Sequence, residues 1–171
     1  MALELAAVDQ TLIDRILEQK DVEQESDLGI LSALTIKRYA RAVGETNPVY
    51  LDSRYARALG FGDIISPPNL PVSVMDWTEG SPNDELRQDG TEPGVTLPGV
   101  PSSGYRLMGG GEDMTFIKPI VAGQHLTLTV ALSEATLRDS RSGPMAVVKL
   151  RRRYFADGDL ALEAIQTILV R

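Results

Sequence analysis

The sequence predicts a single α+β domain from the order of its apolar patterns. Helix-type spacing of apolar residues is confined to residues 8–77, whereas alternation with a period of two begins at Tyr105 and continues to Val170. Helices followed by a run of antiparallel strands are typical of α+β proteins. A chain of 171 residues with 43% hydrophobic content is long and apolar enough to build one core.

Four helices are predicted in the first half. In residues 8–19 an i, i+1, i+4, i+5 apolar stripe indicates an amphipathic helix. Ser32 can cap a second helix, which Gly44 ends, and Asp52 can cap a third over residues 53–59. Residues 72–77 are compatible with a short buried helix. The charged stretch 20–27 is predicted to be a linker, so we expect residues 1–31 to be an N-terminal helix and linker and residues 32–171 to be the main domain.

Residues 78–103 are rich in glycine and proline and have few large apolar side chains. We expect a long loop there, either a lid or pocket wall or a disordered insertion, because long loops in compact domains are usually functional or mobile.

Five strands are predicted after this loop, at residues 105–108, 112–118, 125–138, 145–156 and 160–170. The breaks between them contain glycine or proline. Asp157-Gly158 separates two long alternating runs and is the strongest hairpin signal in the chain.

Composition excludes several functional classes. The net charge of -7 disfavours nucleic acid, which needs clustered Lys and Arg. The chain has no cysteine and one histidine, His125, so we predict no disulfide, no metal site and no cofactor. No apolar run reaches the roughly 18 residues of a membrane span. The first residues have no basic region typical of a signal peptide. We therefore expect a cytoplasmic protein.

Residues 39–52 form the stretch around which the chain is organised. After the helix stop at Gly44, the sequence places Glu45, Asn47 and Tyr50 within six residues. Pro48 disfavours helical backbone at Asn47. A carboxylate, an amide and a phenol are therefore held in one loop, where chemistry is often located. The alternative is a capped helix end followed by an Asn-Pro turn.

The run G-E-T-N-P-V-Y resembles the signature of MaoC-like hot-dog proteins, which include (R)-specific enoyl-CoA hydratases and 3-hydroxyacyl dehydratases. Active members have G-D-x-N-P-aliphatic-H, with Asp and His as the catalytic pair. Here Glu45 stands at the Asp position and Tyr50 at the His position. Residues 116–126, F-I-K-P-I-V-A-G-Q-H-L, are similar to a second motif of the family, with Gln124 where Asp is common. The resemblance is closest to the dyad-lacking, FAS1-like dehydratase branch, the N-terminal half of double hot-dog proteins.

The resemblance implies a curved antiparallel sheet wrapped around a central helix. It also implies a role as the dyad-lacking subunit of a heteromeric enoyl-CoA hydratase or 3-hydroxyacyl-thioester dehydratase. Glu45 could act as a base, but its extra methylene displaces the carboxylate, and a misplacement of about 1 Å can cost roughly 10²-fold. Tyr50 is a poor proton shuttle at neutral pH, since a phenol titrates near pKa ~10.

Other residues have candidate roles in binding. The resemblance implies that Asn47 contacts the thioester region, although stabilisation of the turn is an alternative. Met75 and Trp77 are candidates for the acyl tunnel or for the core. Arg151 and Arg153 are expected on one face of a strand and Arg152 on the other. They could contact CoA phosphates or form a solvated or subunit-facing ladder.

Two other functions remain open at this point. One is a non-enzymatic acyl-thioester binding module, as a homodimer. The other is a self-sufficient homodimeric hydratase that uses Glu45. In each case the expected ligand is acyl-CoA or another acyl thioester, and the expected partner is a second hot-dog subunit. His125 would replace the missing imidazole only if folding brought it close to Tyr50.

Overall fold

One antiparallel sheet dominates the computed structural model, which describes residues 6–75, 82–86, 97–101 and 104–171. The strands pair in the order β1-β3-β4-β5-β2, so that β1 and β2 are the edges. The α+β class predicted from the sequence is confirmed. The five strands are β1 (Gln24–Ile30), β2 (Leu107–Phe116), β3 (His125–Ser140), β4 (Gly143–Ala156) and β5 (Asp159–Val170).

Three short α-helices precede the strands β2–β5, and side chains cap them as predicted. Helix α1 is Gln10–Leu17, α2 is Ala33–Ala42 and α3 is Ser53–Ala58. Ser32 caps α2 by accepting a hydrogen bond from the main chain of Thr35, and Asp52 caps α3 in the same way. Capping residues of this kind satisfy N–H groups that have no partner within the helix.

The prediction of a linker at residues 20–27 is wrong for its second half, because β1 begins at Gln24 and pairs with β3. Gln24 to Asp27 are all exposed, so this strand has no apolar alternation that would reveal it in the sequence. Main-chain hydrogen bonds to β3 hold it, and a charged edge strand of this type resists pairing with other chains. Residues 24–30 are therefore part of the same sheet as residues 107–170.

The glycine run 109–111 was predicted to separate two strands, and this prediction is also wrong. Strand β2 continues through it, with a bulge between Gly109 and Gly111. A Cβ atom at Gly110 would lie 2.8 Å from Thr167 Cγ2, so only glycine permits β2 to approach β5 this closely. The glycines therefore shape the strand and do not end it.

The predicted hairpin at Asp157-Gly158 is confirmed. Both residues have positive φ, 52° and 86°, as a two-residue turn between antiparallel strands requires. The other predicted strands, 125–138, 145–156 and 160–170, agree with β3, β4 and β5 to within two residues at each end.

Helix α1 packs its apolar stripe against one end of the sheet. Leu12, Ile13 and Ile16 form a buried cluster with side chains of β3, β4 and β5. Leu97 belongs to the same cluster. A Cβ atom at Gly99 would lie 2.6 Å from Ile16 Cα, so this glycine lets the chain cross α1 closely. The described end of the predicted 78–103 loop is thus part of the core, while most of that loop lies outside the described residues.

A second cluster fills the other end of the sheet. It joins α2, α3 and the segment after α3 to β3, β4 and β5 through Ile36, Ala56, Ile64, Leu126 and Ala161. A wide helical turn, Pro71–Met75, is the described part of the helix predicted at residues 72–77. In the part of the chain that the structure describes, no helix has both the length and the apolar content that a membrane crossing needs.

Candidate functional site

The loop after α2 begins with a glycine that takes positive φ (74° at Gly44), which ends the helix as predicted. The Glu45 carboxylate then folds over its own loop. Its Oε1 accepts hydrogen bonds from the main-chain N–H groups of Thr46 and Asn47, both at 2.8 Å. These two bonds engage one of the two carboxylate oxygens and hold the Glu45 side chain against its own loop.

Asn47 stabilises the next turn. Its Oδ1 accepts a hydrogen bond of 3.1 Å from the N–H of Val49, and its backbone is extended, as the following proline requires. Pro48–Tyr50 then forms a short 3₁₀ turn. In the structure, the polar groups of Glu45 and Asn47 therefore shape the loop that presents Tyr50.

Tyr50 is the partly buried end of this loop. Burial of the phenol, and after it the negative charge of Glu45, raise the pKa of Tyr50 above its ordinary value of 10.0. The hydroxyl is therefore protonated at neutral pH and can donate a hydrogen bond, but it cannot accept and release a proton there as an imidazole would. The side chain packs against the cluster that contains Ile36 and Ala56.

A cavity of about 200 Å³ opens beside Tyr50. It lies between the proline-rich segment that follows α3 and the end of β2 with the first residues of β5. Most of the lining side chains are apolar, and four are prolines. The lining residues are Tyr50, Ile65, Ser66, Pro67, Pro68, Pro71, Phe116, Ile117, Lys118, Pro119, Ile120, Ala161 and Leu162.

Ser66 is a buried polar residue in the cavity wall, and its own hydrogen bonds are made within that wall. Its N–H donates to the carbonyl of Ile120 at 2.7 Å, and its hydroxyl donates to the carbonyl of Pro67 at 2.9 Å. The first bond ties the proline-rich segment to the segment that follows β2. The second uses the hydroxyl proton of Ser66 within the wall.

Main-chain donors are scarce around the cavity. The four prolines have no N–H, and five other lining residues donate theirs to carbonyl oxygens: Tyr50, Ile65, Ser66, Ile117 and Lys118. An enolate oxygen is normally stabilised by two such donors pointing at one place. Most of the wall formed by the described residues cannot provide them.

One side of the cavity is at the protein surface. Phe116 and Ile117 are 53% and 52% exposed, at the end of the edge strand β2. Lys118 is partly buried and its Nζ lies 2.7 Å from Asp159 Oδ2, which fixes the ammonium group at the rim. The rim thus combines exposed apolar surface with one paired cation.

The structure separates the residues that the sequence proposed for one site. Tyr50 lines the cavity, whereas Glu45 and Asn47 are not among its lining residues. Met75 packs against the second core cluster. Trp77 lies outside the described residues. His125 is paired with Asp27 of β1, with Nε2 and Oδ1 2.8 Å apart, and does not line the cavity.

The three consecutive arginines at 151–153 lie on alternate faces of β4, as the alternation of a strand predicts. Arg153 forms an ion pair with Glu23, and Arg151 lies 3.7 Å from Asp21. Arg152 is on the other face, where it donates hydrogen bonds to Tyr154 and to Gln166 at 3.2 and 3.1 Å. The two outer arginines are thus held by acidic groups of residues 21–23.

The sequence interpretation missed most of the cavity wall. Pro67 and Pro68 have no role in the site predicted from the sequence, and residues 116–120 appear there only within the motif similar to the family's. The proline pair was the available clue, because a rigid segment without main-chain donors is suited to forming a wall.

Comparison with known proteins places the chain in a family. Residues 22–164 match the model of the FAS1-like dehydratase domain region. A UPF0336 protein of Clavibacter michiganensis subsp. michiganensis is 32% identical over 137 residues, which cover 80% of this chain and 81% of that protein.

Two solved complexes share the fold. The ChsH1-ChsH2 complex from Mycobacterium tuberculosis contains a chain with a TM-score of 0.67 and 15% identity, covering 94% of this chain and 90% of the other. The C-terminally truncated HadBC (3R-hydroxyacyl-ACP dehydratase) complex from the same organism contains a chain with a TM-score of 0.59 and 19% identity. The match covers 88% of this chain and 98% of the other. The solved complexes show that the chain has the hot-dog fold, and the match over residues 22–164 shows that it belongs to the FAS1-like dehydratase domain family.

Proposed function

We propose that this chain is the dyad-lacking subunit of a heteromeric enoyl-CoA hydratase or 3-hydroxyacyl-thioester dehydratase. It binds the acyl part of the thioester in the cavity beside Tyr50 and contributes a subunit interface. A partner hot-dog subunit with an intact Asp and His pair performs the proton transfers. Both subunits are cytoplasmic in this proposal.

The observation that carries the proposal is the protonation state of Tyr50 beside the cavity. This residue stands where the resembled enzymes have histidine, and its raised pKa keeps it protonated at working pH. General acid–base catalysis needs a group with a pKa near the working pH, and it contributes on the order of 10²–10⁴-fold. Tyr50 can instead orient a thioester carbonyl by donating a hydrogen bond.

Two further features support a binding role without chemistry. The Glu45 carboxylate is engaged by two main-chain N–H groups of its own loop. The cavity wall has few free N–H groups to stabilise an enolate oxygen. A site with an apolar wall, one phenol donor and no carboxylate among its described lining residues is suited to holding an acyl chain.

The partner is proposed to bind along β2. This edge strand has ten residues, and its exposed side chains include Met108 and Phe116. Each edge strand has two acidic residues, so the choice of β2 depends on its exposed apolar side chains and on its position beside the cavity. A subunit that pairs with β2 would also cover the open side of the cavity. ChsH1-ChsH2 and HadBC are complexes of two different subunits by name, which is consistent with this arrangement.

The test is a comparison of the chain alone with the chain plus its partner. The purified chain should bind a saturated acyl-CoA in isothermal titration calorimetry. It should hydrate crotonyl-CoA no faster than the uncatalysed reaction. Activity should appear when a hot-dog subunit with G-D-x-N-P-x-H is added. Turnover by the chain alone would contradict the proposal and favour a self-sufficient homodimer. Acyl-CoA binding without activity in any mixture would favour a binding module.

A further inference from the structure

The cavity beside Tyr50 has a size that a ligand can be measured against. We propose that it accepts acyl groups of up to about eight carbon atoms and excludes the remainder of longer chains. This inference rests on the proposed function, because it assigns the cavity to the acyl group. It adds the class of acyl group and the residues that set the limit.

The volume gives the limit. An apolar cavity of about 150 Å³ accepts a benzene ring, which has six carbon atoms. The cavity here measures about 200 Å³, and in the same proportion it has room for about eight carbon atoms.

The inner wall cannot easily widen. Ala161 and Ile120 belong to the buried cluster formed with α2 and α3, and Leu162 packs against the fully buried Tyr154. Packed interiors have little free space, so displacing these side chains would disturb both clusters. Pro67 and Pro68 fix the backbone of the opposite wall through their rings.

The outer wall is different, and it sets the direction of the ligand. Phe116 and Ile117 are about half exposed and meet solvent at the end of β2. The polar carrier of the thioester is expected on this side, near Lys118, and the acyl end against Ala161. Ala161 is 1% exposed and has the smallest side chain of the wall, so its size determines how far an acyl chain can enter.

The experiment measures the affinity of the full-length chain for saturated acyl-CoAs by calorimetry. Saturated acyl groups are not substrates for hydration, so binding is measured without turnover. From butyryl- to octanoyl-CoA, each methylene should lower Kd by about four-fold, the value of one buried CH₂. From octanoyl- to dodecanoyl-CoA, the decrease in Kd per methylene should fall below about 1.5-fold, since the added carbons stay in solvent.

Two variants test the assigned wall. Ala161→Leu adds three carbon atoms and should shorten the limit to about five carbons. Phe116→Ala should raise Kd for octanoyl-CoA by about tenfold by removing one wall. Because Phe116 is about half exposed and lies outside the buried core, this variant should fold even if Ala161→Leu does not. Phe155→Ala is the matched control, since Phe155 is packed against Arg153 and does not line the cavity, and it should leave Kd within twofold.

The outcomes separate the two proposals. If affinity continues to rise four-fold per methylene up to dodecanoyl-CoA, or if Kd does not depend on chain length, the limit is overturned but the proposed function stands. An unchanged octanoyl-CoA affinity in Phe116→Ala also overturns it. If no acyl-CoA of any length binds, the proposed function fails, and the limit fails with it.

Discussion

Tyr50 and Glu45 are coupled electrostatically in the folded protein. Burial of the phenol is the larger cause of its raised pKa, and the negative charge of Glu45 adds to it. Tyr50, which stands where the resembled enzymes have histidine, therefore stays protonated at neutral pH. A working acid–base pair needs the opposite, a proton that moves between states at the working pH.

The first prediction concerns Glu45 in the reconstituted complex. Glu45→Gln should leave kcat within about twofold, because this carboxylate moves no proton. Steady-state hydration of crotonyl-CoA is the measurement. The positive control is the corresponding amide substitution, Asp to Asn, at the Asp position of the partner's motif. If Glu45 is instead a general base, the loss in kcat should reach about 10²-fold.

The second prediction concerns restoration of the pair. The double variant Glu45→Asp, Tyr50→His should remain inactive when purified alone. The reason is that the proline-rich wall has no N–H at Pro67 and Pro68 to stabilise an enolate oxygen. The assay is hydration of crotonyl-CoA against the uncatalysed rate. A clear gain of activity would mean that the cavity lacks only its proton-transfer groups.

The third prediction concerns the hydroxyl of Tyr50 as a donor to the thioester carbonyl. Tyr50→Phe should weaken acyl-CoA binding by about three- to tenfold, the range for one net hydrogen bond. Tyr55→Phe is the matched control, because Tyr55 is exposed on α3 and does not line the cavity.

The same hydroxyl gives a prediction about pH. Because the pKa of Tyr50 is raised above 10.0, the donor is present throughout the neutral and mildly alkaline range. Kd measured by calorimetry should therefore show no Tyr50-dependent change between pH 7 and about pH 9. A tyrosine-dependent loss of affinity within this window would contradict the raised pKa.

The fourth prediction concerns the edge strand β2 as the subunit interface. Met108→Glu places a charge on this edge, outside the cavity, and should weaken association with the partner by at least about tenfold. Val22→Glu is the control, since Val22 is exposed next to the other edge strand. Analytical ultracentrifugation should show a shift toward the 18.6 kDa monomer only for Met108→Glu. An equal effect of both variants would exclude β2 as the specific interface.

The fifth prediction concerns Glu112, a partly buried carboxyl on β2. Its Oε1 is buried and has no hydrogen-bond partner among the described residues, and burial raises its pKa above 4.5. The folded protein therefore binds this proton more tightly than the unfolded chain does. The contribution of this proton to the free energy of unfolding is fully present below pH 4.5, and it is lost as the pH rises through the raised pKa of Glu112.

Glu112→Gln should accordingly increase the free energy of unfolding at pH 7, by up to about 1 kcal/mol because the side chain is still partly solvated. The gain should disappear below pH 4.5. Urea denaturation at the two pH values is the measurement. Glu163→Gln is the control for a Glu→Gln change on the same pair of strands, since Glu163 of β5 pairs with Thr115 of β2.

Local chemistry allowed much of the architecture to be predicted from the sequence. Ser32 and Asp52 cap their helices, Gly44 ends α2, and Asp157-Gly158 forms the hairpin, because each of these depends on neighbours within a few residues. The motif around Asn47 and Pro48 also identified the correct family, since its spacing is a property of the chain alone.

Long-range contacts decided the rest. Strand β1 is held by main-chain pairing with β3, about 100 residues away, and its exposed side chains leave no pattern in the sequence. The close approach of Gly110 to Thr167 kept β2 continuous through a run of glycines. Such contacts form only when distant segments meet, so no local rule predicts them.

The sequence by itself determined that Glu45 and Tyr50 stand at the positions where the resembled proteins have Asp and His, because residue identity is a property of the chain alone. Only the tertiary structure decided what each does in their place. The fold turns the Glu45 carboxylate onto its own loop and buries Tyr50 beside a cavity whose walls come from three distant parts of the chain. A cavity is defined by the packing of those parts against one another, and packing exists only in the folded chain.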